Sequence, residues 1–207
     1  MSVFVLFICF FQKTKGFVIK FNREGVDRLK QDPALAAMAD YFDRAREPFA
    51  NAWVLNVLVC LPQEMPLKGE SEEPQDLLLP LSVSPHIDET LGTSSKDSFM
   101  AHVVNVLYVS VPERMLGGRL EMYSYSWLRE KLFPYLISFL STRQLDGVLP
   151  PDAGVDPAEN MLLSFRGDTI HRVKGFRIRG DKDHHRVSVV LEQYRVPLLA
   201  YSLTIEY

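Results

Sequence analysis

The stretch Phe99–Tyr125, FMAHVVNVLYVSVPERMLGGRLEMYSY, decides the fold class. Phe99 to Val111 is dominated by β-branched and aromatic residues and reads as one long strand. Pro112 to Gly118 carries a proline and a Gly-Gly pair, the composition of a turn. Arg119 to Tyr125 then returns as a second strand. Two long β segments joined by so short a turn point to antiparallel pairing rather than to the crossover helices of a parallel sheet.

The pattern continues on both sides. Upstream, Trp53 to Leu61 is an apolar, buried-strand run. Pro62 to Asp76, PQEMPLKGESEEPQD, is acidic, broken by prolines and reads as a surface loop. Leu77 to Val83 is expected as a strand leading into Ser84-Pro85-His86-Ile87-Asp88. Downstream, Leu145 to Asn160 reads as loop, and strands are expected at Met161–Phe165, Thr169–Phe176, Val187–Arg195 and finally near Leu199–Glu206. Met1 to Phe11 and Phe17 to Phe21 read as a hairpin turning at Gln12–Gly16. Two segments break the β pattern. Asp32 followed by Pro33 predicts a helix over 33–46, with a turn of helix before it at Val26–Lys30. Ser126 to Thr142 has Trp127, Leu128, Leu132, Leu136 and Leu140 at helical spacing, with a kink at Pro134. The sum is a mainly β chain with flanking helices and a double-stranded β-helix, or jelly-roll, core. One domain spanning 1–207 is expected, with N-terminal strands and helix at 1–61, the roll at about 77–196 and a helical insert at about 126–142.

Composition excludes several classes of function. Of the 207 residues 47% are hydrophobic and 24% charged, as in ordinary globular domains. A net charge of −3 offers no basic surface for a nucleic acid or an anionic membrane, so neither is expected as a partner. Met1–Phe11 is apolar but too short to span a bilayer. The two cysteines, Cys9 and Cys60, sit in apolar runs and read as small core residues, which fits an intracellular, cytoplasmic setting.

The chemistry lies at the end of the strand before Phe99. His86 and Asp88 are two apart, so on a strand both point to one face. Two histidines and one carboxylate on one face of an octahedron leave open positions and suit non-haem iron(II). The pair alone is weak, because H-x-D arises by chance about 0.3 times in such a chain. His171, in SFRGDTIHRV, is the best third ligand. His184 and His185 lie in the charged stretch GDKDHHR, which reads as a solvated turn. His102 shares the strand parity of Val104, Val106 and Tyr108, which would let it face the cavity, but it reads rather as a packed, hydrogen-bonded histidine. Arg186 opens RVSVVLEQY, with Ser188 on the same face. Its planar fork suits a carboxylate, and from this segment alone an exposed edge-strand arginine is an equal reading.

Taken in order, H-I-D at 86–88, VLYVSVPERMLGGRLEMY at 106–123, PAENMLLSFRGDTIHRV at 157–173 and RVSVVLEQY at 186–194 resemble the iron(II)/2-oxoglutarate-dependent dioxygenase superfamily, most closely its prolyl-hydroxylase-like branch. The resemblance covers about residues 77–196. It implies that His86, Asp88 and His171 hold iron(II). It implies that Arg186, assisted by Ser188 and Tyr108, binds the distal carboxylate of 2-oxoglutarate. Arg177 and Arg179, nearer His171 in sequence, are the alternatives for that role. Gly117 and Gly118 match a turn of the roll, and Pro157 and Asn160 match the segment before the distal histidine. The implied reaction consumes O2 and 2-oxoglutarate, releases succinate and CO2, and hydroxylates a peptidyl residue or an amino-acid-like small molecule, with ascorbate keeping the iron reduced. A cupin-like metal protein and a non-catalytic sensor domain are the competing functions, but cupins usually present H-x-H. Nucleic-acid demethylases of the same superfamily carry a second arginine six residues after the first, and here that position is Glu192.

Overall fold

A computed structural model describes residues 14–63, 79–89, 91, 99–123, 150–178 and 184–197. The expected N-terminal strand at Met1–Phe11, most of the acidic loop, the helical segment Ser126–Thr142, the final strand near Leu199–Glu206, Cys9 and Arg179 lie outside them.

Eleven strands and two helices are present among the described residues: β1 Thr14–Asn22, α1 Arg23–Gln31, α2 Ala36–Ala45, β2 Ala52–Cys60, β3 Val83–His86, β4 Val103–Ser110, β5 Met115–Gly117, β6 Leu120–Tyr123, β7 Ala153–Val155, β8 Leu162–Arg166, β9 Ile170–Val173, β10 Phe176–Ile178 and β11 Arg186–Tyr194. One sheet has the order β1-β2-β11-β4-β8 and a second the order β3-β9-β6-β7, while β10 and β5 form a small separate pair. From β2 onward the main strands switch between the two large sheets: β2 in the first, β3 in the second, β4 in the first, β6 and β7 in the second, β8 back in the first, β9 in the second and β11 in the first. All pairings are antiparallel. This winding is the jelly roll that the strand pattern predicts.

The central strands of the larger sheet, β2 and β11, are covered on both faces. Odd-numbered residues of β11 and β2, such as Val189, Leu191, Trp53 and Leu55, join Phe21, Leu29 and Phe42 in a core beneath the helices. Phe21, Phe42 and Trp53 meet with ring centroids 5.1–5.7 Å apart, a geometry that adds to the stabilisation from burial alone. Even-numbered residues of β4 and β11, with Val54, Val104, Val106, Tyr108 and Tyr194 among the buried ones, face the second sheet. The strands adjoining the site therefore rest on a helix-backed layer.

Several boundaries differ from expectation. The helix expected at 33–46 is preceded by a full helix, α1, because Asn22 Oδ1 accepts from the backbone N–H groups of Glu24 and Gly25. Asp32 caps a single 3-10 turn at Pro33–Leu35 before α2 begins. Thr14 to Gly16 belong to β1 rather than to a turn, paired with Leu58 to Cys60. The turn at 112–118 contains β5, and the segment Thr169–Phe176 divides at Lys174-Gly175 into β9 and β10. The loop at 145–160 contains β7. Of the strand expected at Leu77–Val83, only Val83 belongs to β3 among the described residues; residues 79–82 are outside any strand, Ser82 N–H alone bonding to Val173 O, and Leu77 and Leu78 lie outside the described residues. No helix among the described residues is long and apolar enough to cross a membrane.

Candidate functional site

The site begins with a register pair. His86 on β3 lies directly opposite His171 on β9. Between Val83 and His86 the register slips by a bulge, and Pro85 sits inside it. β3 is an edge strand, where a residue without an N–H is tolerated. The bulge brings the two imidazoles together, with ring centroids 4.2 Å apart and planes tilted by 52°. Asp88 follows the strand end, and its backbone carbonyl accepts from Ala101 N–H at 3.1 Å, which ties the segment to the start of β4.

The three side chains converge. Asp88 Oδ1 is 3.4 Å from His86 Nε2, and Asp88 Oδ2 is 3.6 Å from His171 Nε2. One ligand atom from each of the three lies within 4.8 Å of the others. Each Nδ1 faces a backbone carbonyl, Ser84 O at 2.8 Å from His86 and Thr169 O at 3.1 Å from His171. Those contacts engage Nδ1–H and leave Nε2 as the ring atom facing Asp88, the nitrogen that would ligate a metal once it carries no proton. Asp88 Oδ2 is buried and has no hydrogen-bond partner. A buried carboxylate oxygen without a donor is costly, and a divalent cation among these three groups removes that cost. The donor set, two imidazole nitrogens and a carboxylate, fits non-haem iron(II).

The electrostatics agree with this geometry. Burial pushes the Asp88 carboxyl up, but hydrogen bonding to His86 and the charges of both histidines outweigh it and hold Asp88 below the usual carboxylate range. Burial, then the neighbouring His86, lowers the His171 imidazole. His86 is pulled down by burial but raised on balance by Asp88, with smaller contributions from the Ser84 carbonyl and Glu192.

A cavity of about 230 Å³ opens beside the triad, between the two sheets. His86, Asp88 and His171 lie in its wall, as do Tyr108, Arg186 and Ser188. All six residues singled out from the sequence are thus brought to one space. The remaining walls are largely apolar, from Val18, Leu58, Val83, Val106, Leu120, Val173 and Val190, with Thr14, Lys15, Gly16 and Asn56 contributed by β1 and β2. Ser188 is opposite Tyr108 across the β11–β4 pair. Arg186 is only 1% exposed. Its guanidinium lies 5.8 Å from the Tyr108 ring centroid. Nη1 donates to Gly118 O at 2.8 Å and Nη2 to Cys60 Sγ at 3.3 Å, while Nε is buried without a partner. No carboxylate among the described residues pairs with this cation. Burial raises the Tyr108 hydroxyl's pKa, against the opposing pull of Arg186, so it remains a neutral donor.

Gly117 and Gly118 have φ of 87° and 78°, a region where side chains are strained. A Cβ on Gly117 would meet Gly175 O at 2.6 Å. The turn these glycines make delivers the Gly118 carbonyl to Arg186. Asn160 also has positive φ, 61°, and its N–H bonds to Tyr108 O at 2.8 Å.

Other candidates fall elsewhere. His102 precedes β4 and is exposed, 5.7 Å from the Phe49 ring, so its expected packed position is wrong; strand parity does not extend to it because the strand starts at Val103. His184 is exposed, as the charged turn implied. Arg177 lies on β10 opposite Leu116 and is not a cavity residue. Cys60 is fully buried, as expected, but it also touches the site's arginine, which composition could not reveal.

No family model and no curated protein sequence matches the chain. Among solved structures it is similar to a 2OG-Fe(II) oxygenase family oxidoreductase from Burkholderia pseudomallei, at 14% identity and a TM-score of 0.41, over 94% of this chain and 73% of that one. It is also similar to a prolyl-4-hydroxylase from Pseudomonas putida, at 13% identity and a TM-score of 0.42, over 93% of this chain and 78% of that one. Similarity at that level carries no information on chemistry, and the functional reading rests on the residues of the cavity.

Proposed function

We propose that this chain is an iron(II)- and 2-oxoglutarate-dependent oxygenase that hydroxylates a peptidyl residue or an amino-acid-like small molecule. The observation that carries the reading is one cavity with a His-Asp-His cluster in its wall and a buried, carboxylate-free arginine lining it. Iron with 2-oxoglutarate and O2 supplies the oxidising power for C–H hydroxylation, with succinate and CO2 released and ascorbate as the reductant that sustains turnover. The chain's own residues supply geometry and environment. His86 and His171 present Nε2, held by their Nδ1 contacts to Ser84 and Thr169. Asp88 supplies the anionic ligand. Arg186 gives the distal carboxylate of 2-oxoglutarate a charged fork, and the Tyr108 and Ser188 hydroxyls add neutral donors on the same face. Val106, Leu120, Val173 and Val190 exclude water around the reacting centre.

The test is oxygen-dependent succinate formation from 2-oxoglutarate by the iron-loaded protein, compared with Asp88→Ala. The proposal expects turnover in the wild type and none in the variant. Equal succinate release by both would overturn the metal assignment, and iron binding without any 2-oxoglutarate consumption would favour a cupin-like or sensor role.

A further inference from the structure

Arg186 is held in an unusual way for a buried cation. Buried guanidinium groups normally face a carboxylate. Here its two acceptors are both neutral: a backbone carbonyl, Gly118 O, and a thiol, Cys60 Sγ. The thiol's place is set by register. Thr14, Cys60 and Arg186 are direct cross-strand partners at one end of β1, β2 and β11. Cys60 is 0% exposed and is not itself in the cavity wall, whereas Arg186 and Thr14 are. The sulfur therefore lies beside the guanidinium and away from the ligand space. Nη1 and Nη2 are each restrained, and Nε remains buried and unpartnered.

We infer that Cys60 is a positioning residue: its thiol fixes the Arg186 guanidinium for a dicarboxylate co-substrate while leaving the arginine's charge unneutralised. This rests on the proposed role of Arg186 in binding 2-oxoglutarate. Two features of a thiol suit the task. It is a weak acceptor, so it restrains the fork without competing strongly with an incoming carboxylate. It also stays uncharged in this setting, because burial raises its pKa beyond what the nearby arginine takes back. A carboxylate of similar size at this position would satisfy Arg186 internally and remove the reason for an anion to bind.

The experiment compares Cys60→Ser, Cys60→Ala and Cys60→Asp with wild type. Iron(II)-loaded proteins are titrated anaerobically by calorimetry with 2-oxoglutarate and, separately, with pyruvate, a 2-oxo acid that lacks the distal carboxylate. Cys60→Asp is expected to weaken 2-oxoglutarate binding at least a hundredfold by forming an internal ion pair. Cys60→Ala is expected to weaken it on the order of tenfold, and Cys60→Ser, which keeps an acceptor, by less than Cys60→Ala. Pyruvate affinity should be the same in all four proteins, since it does not reach for Arg186. Iron-induced thermal stabilisation reports that each variant is folded with its triad intact. Parallel losses for both acids would show a general structural effect and overturn the inference. So would unchanged 2-oxoglutarate affinity in Cys60→Ala and Cys60→Asp. If one variant fails to fold, the dicarboxylate-against-monocarboxylate comparison in the others decides. Failure of the wild type to bind 2-oxoglutarate at all would refute the proposed function itself.

Discussion

Replacing Arg186 with methionine separates a cation kept for a ligand from a cation kept for the fold. In the ligand-free protein the substitution removes two hydrogen bonds to neutral acceptors, Gly118 O and Cys60 Sγ, worth about 1 kcal/mol each. It also removes the desolvation cost of a guanidinium that is 1% exposed and faces no carboxylate among the described residues, a cost of several kcal/mol for a buried ion. Methionine fills much of the same apolar volume beside Tyr108. The opposing effects leave the ligand-free variant within about 1 kcal/mol of wild type, or more stable. Breaking a conventional buried ion pair would instead cost about 3–5 kcal/mol. The co-substrate tells the opposite story. Losing the partner of a buried carboxylate costs about 2–5 kcal/mol, which is about 30-fold to several thousand-fold in Kd. Urea unfolding of metal-free protein measures the first effect, and anaerobic titration of the iron-loaded protein with 2-oxoglutarate measures the second. Loss of about 3 kcal/mol or more in the metal-free protein, together with unchanged 2-oxoglutarate affinity, would refute the reasoning.

Other expectations follow from the same geometry. Phe42→Ala empties the centre of the Phe21–Phe42–Trp53 cluster under the large sheet and should lower unfolding free energy by about 3–5 kcal/mol in denaturant titration; a loss under about 1 kcal/mol would mean the helices do not seal that core. Gly117→Ala forces a Cβ into φ 87° and toward Gly175 O at 2.6 Å; it should cost at least about 1–2 kcal/mol and weaken 2-oxoglutarate binding by shifting the Gly118 carbonyl, with wild-type values for both counting against the turn's role. Metal binding should weaken as pH falls. Asp88 stays ionised and His171 neutral near pH 7, because their pKa values are lowered, but the raised pKa of His86 means that its proton must be displaced. The iron-induced rise in Tm should therefore be full above the His86 titration and fade below it; a rise that is the same at pH 8 and pH 6 would contradict this.

The amount of the fold legible in the sequence depended on where the information was stored. β4 and β11 announce themselves through uninterrupted valine-rich runs, and Gly117-Gly118 marks the turn, because local composition determines both. β3, at Val83–His86, shares only Val83 with the apolar run Leu77–Val83, since an edge strand carrying a proline-filled bulge owes its pairing to β9, far along the chain. The three-residue strands β5, β7 and β10 have no periodicity of their own and exist through partners. For the site, residue type picks out His86, Asp88, His171, Arg186 and Ser188 as candidates, the family resemblance adds Tyr108, and the structure gathers all six around one cavity. Cys60 was missed as an arginine contact because nothing in LNVLVCLP states its register; only the pairing of β2 with β11 places it opposite Arg186. His102 escapes the parity of Val104, Val106 and Tyr108 because it precedes β4, whose start its composition does not mark.

The most direct test of the central claim is a crystal structure of the protein grown anaerobically with iron(II) and 2-oxoglutarate. The proposal predicts metal bound by His86 Nε2, His171 Nε2 and an oxygen of Asp88, with the keto-acid end of 2-oxoglutarate at the metal and its distal carboxylate on Arg186. Metal bound away from these three side chains, or a distal carboxylate that leaves Arg186 without an anion, would contradict it.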